Sequence, residues 1–212
     1  MNCEILSHKI ASILLIELRH RKDIVVGAPH HTLGGVKNMP CAEHEDGDEN
    51  TGFIARQIAE KMNLSSAIAC NYRIDPNKNL RTDYSLQIAM WAPKYLIEIH
   101  GHGAKGGKRP DNSTIEISSG KMERNEISKS FAATLKEKMQ KHEPLKNYNV
   151  CGDFNQIYFT AAKTATIIDD RWVSIHIELP PSIRLNSTKG LPTFTDDFVD
   201  CLIESINEIC KN

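Results

Sequence analysis

Residues 24–31 read Ile-Val-Val-Gly-Ala-Pro-His-His, a β-branched apolar run that ends in glycine, proline and two histidines. A short run of this kind, bounded by turn-forming residues, predicts a buried strand. Residues 95–101, Tyr-Leu-Ile-Glu-Ile-His-Gly, follow the same pattern and predict another buried strand. Each of the two strands therefore brings histidine to its carboxyl end.

Helices and strands alternate around these two segments. Apolar residues at helical spacing predict a helix over 51–62, with Asp48 or Asn50 as its N-cap. Residues 5–19 are apolar at mixed spacing, which fits a helix or a hairpin, and we favour the helix. The remaining predicted strands span 66–71, 114–118, 165–168 and 172–179, and the remaining predicted helices span 84–91, 123–141 and 194–210.

This alternation predicts a single α/β domain over 1–212, with a mixed, mostly parallel central sheet flanked by helices. A chain of 212 residues that is 40% hydrophobic and 25% charged is large enough to bury one core, and no linker or repeat divides it. In sheets of this type, ligands bind at the carboxyl ends of the strands. The functional residues are therefore expected at that edge.

Charge and cysteine content narrow the partners. The net charge of −1 gives no bulk attraction to nucleic acid or to an anionic membrane, and no apolar run reaches the roughly twenty residues of a membrane span. The six cysteines include no Cys-x-x-Cys pair, which indicates reduced thiols and a cytoplasmic protein. We expect a small-molecule substrate as the partner, and the sequence leaves the oligomeric state open.

Ionisable residues follow the predicted strands at the points where the strands end. Two imidazoles and one carboxylate, with a coordination position left for water, form a catalytic zinc site, and a further carboxylate then moves the proton. An arginine beside an asparagine suits a substrate carboxylate, because guanidinium binds carboxylate through two parallel hydrogen bonds. The candidates for these roles are His30, His31, His100, His102, Arg73, Asn77, Glu178 and the acidic loop over 43–49.

Five short motifs occur in the order seen in N-formylglutamate amidohydrolases, which the sequence resembles over about 24–179. Those enzymes are relatives of the zinc carboxypeptidases and share their phosphorylase/hydrolase-like fold. The resemblance therefore implies this fold and Zn²⁺ as the cofactor. The motifs are Pro29-His30, Asp48-Glu49, Arg73-x-Asp75-x-Asn77, Ile99-His100-Gly101 and Ile177-Glu178-Leu179.

The sequence departs from the family at three positions. Lys78 stands where the family often has arginine, and His31 is an alternative ligand to the better-matched His30. His102 has no clear counterpart and is a candidate, with Arg73, for donating a hydrogen bond to the oxyanion. The resemblance implies zinc ligation by His30, Glu49 and His100, Glu178 as general base, and substrate binding by Arg73 and Asn77. To these we add Arg73 as a catalytic residue and Lys78 and His102 as substrate-binding residues.

These residues predict zinc-dependent hydrolysis of an amide bond in a small, carboxylate-bearing N-acyl amino acid or peptide-like substrate. A metal-binding protein that keeps the fold without turnover is the alternative. Glu178 argues against it, because a structural zinc site is closed by protein ligands and has no use for a base. The His100-Gly101-His102 motif would also fit a barrel-type metal hydrolase, but that fold usually needs about 250 residues.

Overall fold

Eight strands form one mixed sheet in the computed structural model, which describes residues 12–210. In chain order they are β1 (Ile13–Glu17), β2 (Arg21–Thr32), β3 (Asp48–Glu49), β4 (Leu64–Cys70), β5 (Tyr95–Gly101), β6 (Thr114–Ser118), β7 (Asn149–Cys151) and β8 (Val173–Leu179). Across the sheet the order is β1-β4-β2-β5-β8-β6-β7, with β3 paired to β2. The β1–β4 and β6–β8 pairs are antiparallel and the others are parallel. The predicted mixed, mostly parallel sheet is confirmed.

Helices cover both faces of this sheet. Val25 and Val26, adjacent in β2, belong to different core clusters, because successive side chains of a strand point to opposite faces. Burial on both faces explains why the central part of β2, residues 24–29, is a continuous apolar run. The helices are α1 (Thr51–Met62), α2 (Asp83–Trp91), α3 (Asn125–Met139), α4 (Ala165–Ile168), α5 (Pro181–Arg184) and α6 (Thr195–Ile209). Side chains of α1, α3 and α6 lie in one cluster and those of α2 in the other.

Two of the predicted elements are wrong in type. Residues 13–17 form the edge strand β1 and not part of a helix, since their backbone pairs with β4 from Ile13 to Glu17; residues 5–11 of that prediction lie outside the described part of the chain. The strand predicted over 165–168 is the single helical turn α4. A four-residue segment, Ala-Thr-Ile-Ile, is too short to tell a buried strand from a buried turn. Here the backbone N–H of Thr166 donates to the carbonyl of Asn77 and not to a strand.

Helix boundaries otherwise follow the sequence closely. The helix predicted over 51–62 is α1, and α2 begins at Asp83 after an N-cap at Thr82, whose hydroxyl accepts from the Ser85 N–H. The helix predicted over 123–141 is a 3₁₀ turn at Met122–Arg124 followed by α3. Asn50 occupies the N-cap position of α1, but its side chain makes no capping hydrogen bond. Within residues 12–210, no helix is long and apolar enough to cross a membrane.

Two methionines in helices allow a matched test of this core. Met139 in α3 is fully buried, whereas Met90 in α2 is 78% exposed. We predict that Met139→Ala lowers the free energy of unfolding by about 2–5 kcal/mol, because it leaves a cavity in the core. Met90→Ala should change it by less than about 0.5 kcal/mol. Chemical denaturation measures both, and equal effects would contradict the packing described for α3.

Candidate active site

A cavity of about 610 Å³ opens at the carboxyl ends of β2, β5 and β8. The register of the parallel strands sets His100 of β5 beside Glu178 of β8, and Glu98 beside His176. Because side chains two residues apart in a strand share a face, all four point to the same side of the sheet. Parallel pairing thus gathers ionisable groups from separate parts of the chain at one edge.

One carboxylate lies between two imidazoles at the floor of this cavity. Asp48 Oδ2 is 3.4 Å from His30 Nδ1 and 3.3 Å from His100 Nδ1. All three residues are at most 3% exposed. In the described part of the chain, His30 Nδ1 and Asp48 Oδ2 have no hydrogen-bond partner. Separations of about 3.3 Å are those of ligand atoms around tetrahedral zinc, given bonds of about 2.0–2.1 Å. The three atoms therefore fit a divalent metal ion.

A second carboxylate backs each of the two histidines. His30 Nε2 lies 3.1 Å from Asp75 Oδ1, and His100 Nε2 lies 3.2 Å from Glu98 Oε2. Histidines that bind metal almost always donate their other ring N–H to a carboxylate, a carbonyl or water. This arrangement fixes each ring and leaves the Nδ1 lone pair facing Asp48. Glu98 is itself held by the Asn77 amide and by the hydroxyls of Tyr84 and Thr166.

The electrostatics of this group also suit a cation. Burial disfavours the charged form of His100, but Asp48 and Glu98 outweigh burial and raise its pKa to about 10. Burial is likewise outweighed at His30, where Asp48 and Asp75 raise the pKa. The two imidazoles hold the pKa of Asp48 well below its usual range, although burial acts in the opposite direction. A metal ion entering this site would displace protons from the histidines.

Glu178 faces this group from β8. Its Oε1 lies 3.4 Å from His176 Nε2, and its Oε2 has no hydrogen-bond partner among the described residues. Burial raises the pKa of Glu178, but contact with His176 and the nearby His100 outweigh burial and lower it. Glu178 is 6% exposed and lines the cavity. It is therefore an ionised carboxylate with a free oxygen, able to accept a proton.

The geometry bears on two ligand assignments, the open choice between His30 and His31 and the assignment of Glu49. His30 lines the cavity, whereas His31 Nδ1 accepts from the Gly52 N–H at the start of α1. Asp48 lies between the histidines, whereas Glu49 Oε1 accepts from the Gly35 N–H at 2.6 Å. Glu49 lines the cavity, but the groups of side chains spaced for a metal ion contain Asp48 in its place. The geometry thus favours Asp48 over the predicted Glu49 as the carboxylate ligand.

The four predicted substrate-binding residues lie in different settings. Asn77 and Lys78 line the cavity, and the Lys78 ammonium is 2.9 Å from Asp75 Oδ2. Arg73 is exposed and is not part of the cavity wall. His102 lines the cavity, yet the Ala104 N–H donates to its Nδ1 and its Nε2 lies 2.8 Å from the Thr114 carbonyl. With both ring nitrogens engaged, His102 is poorly placed to donate to an oxyanion.

Several residues of the site carry no role in the sequence analysis. Glu98 had a signal, because a charge inside an apolar run, two residues before His100, must share its face. His176 had the same signal relative to Glu178. His44 had none: its loop brings it over His30, where the rings stack with centroids 3.8 Å apart. Arg184, 3% exposed at the end of α5, also had none.

The sheet and its edge define the class of fold. The chain has a mixed, mostly parallel α/β sheet that carries a His-Asp-His group and a facing carboxylate at its carboxyl edge. No protein-family model matches the sequence, and no curated protein matches it. Comparison of the three-dimensional form with solved structures does find similar proteins.

The solved structures with this fold include three proteins that align along most of their length. Bacteriophage poly-γ-glutamate hydrolase is 9% identical over 94% of this chain and 89% of its own, with a TM-score of 0.56. The zinc-free form of YndL is 16% identical over 93% and 90%, with a TM-score of 0.57. N-formylglutamate amidohydrolase from Ralstonia eutropha JMP134 is 10% identical over 93% and 98%, with a TM-score of 0.53. The predicted resemblance to the N-formylglutamate amidohydrolase fold is confirmed.

The choice between the two adjacent carboxylates can be tested by matched amide substitutions. We predict that Asp48→Asn weakens divalent-metal binding at least about tenfold, the scale already seen when groups behind a ligand are changed. Glu49→Gln should keep metal binding, because its carboxylate holds the Gly35 N–H. Metal content after dialysis, measured by mass spectrometry, compares the two. Loss in Glu49→Gln with retention in Asp48→Asn would return the ligand role to Glu49.

Proposed function

We propose that the protein is a zinc-dependent hydrolase of an amide C–N bond in a small, carboxylate-bearing N-acyl amino acid or peptide-like substrate. The observation that carries the proposal is the buried group of His30, Asp48 and His100 with the ionised Glu178 beside it. A catalytic zinc site uses three protein ligands and leaves a position for water or substrate. The arrangement of ligands on one side and a carboxylate base on the other supports this type of site.

The ligand set supports zinc in particular. Two imidazole nitrogens and one carboxylate oxygen are donors that zinc takes in hydrolases. One of the structures with the same fold, YndL, has been determined in a zinc-free form, which points to zinc in that protein. When bound, zinc supplies Lewis acidity that makes water more acidic and polarises the carbonyl of the amide. In this chain His30, Asp48 and His100 would hold it, backed by Asp75 and Glu98.

The remaining chemistry falls to the side chains. Glu178 would accept a proton from the attacking water and then deliver it to the nitrogen of the leaving amine, so that the C–N bond breaks to give an acid and a free amine. The lowered pKa of Glu178 favours its ionised form, which is the form that can accept that proton. His176, at 3.4 Å, fixes the orientation of the Glu178 carboxylate.

The size and charge of the cavity support a small anionic substrate. Its volume of about 610 Å³ lies within the usual range of about 300–1,000 Å³ for small-molecule sites. Two of the structures that share the fold are hydrolases of poly-γ-glutamate and of N-formylglutamate, respectively. A substrate with a carboxylate near the scissile amide would meet several basic residues on the cavity wall. They are Lys37, Lys78, Lys105, Arg109, Arg184 and Lys189.

The cytoplasm remains our proposed location. Five cysteines of the described chain are free thiols, and Cys41, Cys201 and Cys210 are buried. Free buried thiols are the usual state in a reducing compartment. Small molecules, and not nucleic acid or membrane, remain the proposed partners.

A direct assay separates the hydrolase from a metal-binding protein without turnover. Zinc-loaded protein should release free amine from N-formyl-L-glutamate, N-acetyl-L-glutamate or short γ-glutamyl peptides, detected with fluorescamine. Chelation should abolish the release and added zinc should restore it. Protein that holds one zinc per chain but cleaves none of a broad set of N-acyl amino acids and peptides would favour the non-enzymatic alternative.

The role of Glu178 has its own test. We predict that Glu178→Gln keeps zinc but lowers kcat by about 10²–10⁴-fold, the usual contribution of general acid–base catalysis. Glu123 is exposed and does not line the cavity, so it provides the matched control. Glu123→Gln should keep kcat. Turnover of Glu178→Gln close to that of the control would remove Glu178 from the mechanism.

Substrate recognition is tested by comparing the acid and neutral amide forms of one substrate. Lys78 lines the cavity, so Lys78→Ala should lower kcat/KM for the acid by about tenfold, as expected for one charge-assisted hydrogen bond at a partly exposed site. It should hardly affect the neutral form. Arg73→Ala tests the sequence-based role of Arg73 in the same assay. A selective loss for the acid in Arg73→Ala alone would move recognition from Lys78 to Arg73.

A further inference from the structure

Arg184 is a buried arginine with an unusual set of partners. Its Nε donates to the Leu179 carbonyl at 3.1 Å, its Nη1 to the Glu49 carbonyl at 2.7 Å and its Nη2 to the His102 carbonyl at 3.1 Å. Within residues 12–210 it forms no ion pair with a carboxylate inside 4.0 Å. Burying a guanidinium costs free energy unless the group is well hydrogen-bonded, and these three bonds offset part of that cost.

The three carbonyls belong to the three segments that carry the site. Glu49 follows Asp48, Leu179 follows Glu178, and His102 is two residues beyond His100. One planar cation therefore joins the backbone beside the carboxylate ligand, the backbone beside the base and the backbone beside a histidine ligand. In addition to the strand pairing, the Arg184 side chain thus bonds all three segments at once.

Packing holds the guanidinium in this position. A Cβ added to Gly101 would lie 2.3 Å from Arg184 Cζ, so the guanidinium rests directly against the residue that follows His100. The backbone of Arg184 is anchored as well, because the Asn50 side-chain amide donates to its carbonyl at 2.8 Å. Asn50 adopts a left-handed conformation with φ 62° to make this contact. Both the side chain and the backbone of Arg184 are therefore bonded to the segment that contains Glu49 and Asn50.

This position requires a planar set of several donors and a permanent positive charge, and arginine is the side chain that supplies both. Its fork of donors is rigid and planar and spans three separate carbonyls, whereas a lysine ammonium is a compact point charge on a flexible stem. Burial lowers the pKa of Arg184, but the negative charges of Asp48, Glu178 and Glu49 favour its cationic form. A permanent positive charge at this point therefore offsets part of the negative charge of the site.

We propose that Arg184 is a positioning residue that sets the spacing of Asp48, His100 and Glu178, and thereby sets the metal affinity of the centre. The inference rests on the metal centre of the proposed function but does not require turnover. It assigns to the α5 turn, which follows β8, the task of joining β3, which pairs with β2, to the paired ends of β5 and β8.

The test compares metal affinity in two arginine variants. Arg184→Lys should bind zinc about 10–100-fold more weakly than the unmodified protein, the usual effect of losing a group that orients ligands. Arg124 provides the matched control, because it also donates to backbone carbonyls, those of Ile167 and Asp169, away from the cavity. Arg124→Lys should also lower thermal stability, but it should leave zinc affinity unchanged. Competition with a chromogenic chelator, well below the melting temperature, measures the affinities.

Two further readouts keep the proposal open to refutation if Arg184→Lys folds poorly. Arg184→Ala opens space at the cavity wall, so millimolar guanidinium chloride should restore zinc affinity where equal sodium chloride does not. Gly101→Ala pushes on the guanidinium without changing charge and should weaken zinc binding and alter the visible spectrum of the cobalt(II) form. Unchanged zinc affinity in both Arg184→Lys and Gly101→Ala would overturn the proposal.

These outcomes are distinct from those that test the hydrolase. If the unmodified protein binds zinc but cleaves no amide, the proposed function fails while the affinity comparison still decides the role of Arg184. If Arg184→Lys and Gly101→Ala both keep full zinc affinity in an active hydrolase, the proposed function stands and the positioning role is wrong. If the unmodified protein binds no divalent metal, both are wrong.

Discussion

Burial of the Asp48 carboxylate between two imidazoles is the constraint on which the rest of the site depends. A carboxylate at 2% exposure is costly unless it meets positive charge, and its Oδ2 lies 3.3–3.4 Å from both His30 and His100. The two rings must then be held in one orientation. Asp75 and Glu98 do this from behind, and Glu98 in turn requires its own donors from the Tyr84, Thr166 and Asn77 side chains.

The strand ends explain why only one member of the Asp48-Glu49 pair faces the histidines. Both residues are in the short strand β3, where successive side chains point to opposite sides. Asp48 is turned toward His30 and His100, so Glu49 is turned toward the loop after β2, where it accepts from Gly35. Sequence matching gives this pair as a unit, but it contains no information on which of two adjacent carboxylates points inward. A tertiary pairing, β3 on β2, makes that choice.

Local sequence was informative for the central strands and for α1, although the apolar edge strand β1 was predicted as part of a helix. The central strands and α1 were predicted because their patterns extend over several residues, and the strand-end histidines followed from them. Short elements were not: β7 is three residues with no apolar run, and the α4 turn resembles a strand. Arginines were the least predictable residues of the site. Arg73 belongs to a recognisable motif, yet Arg184 lines the cavity, because its partners are backbone carbonyls that no side-chain pattern reveals.

Charge balance connects these observations. Four buried carboxylates contact the histidines of the site, namely Asp48, Asp75, Glu98 and Glu178, and each has its pKa lowered by those contacts despite burial. Lys78 and Arg184 are permanent cations beside them, and the four carboxylates outnumber these two cations by two. The pKa values of His30 and His100 are raised, so these two histidines can hold two protons that balance the excess of carboxylates when no cation is bound. One divalent ion carries the same charge as two protons, so it can replace both of them without changing the net charge of the buried centre.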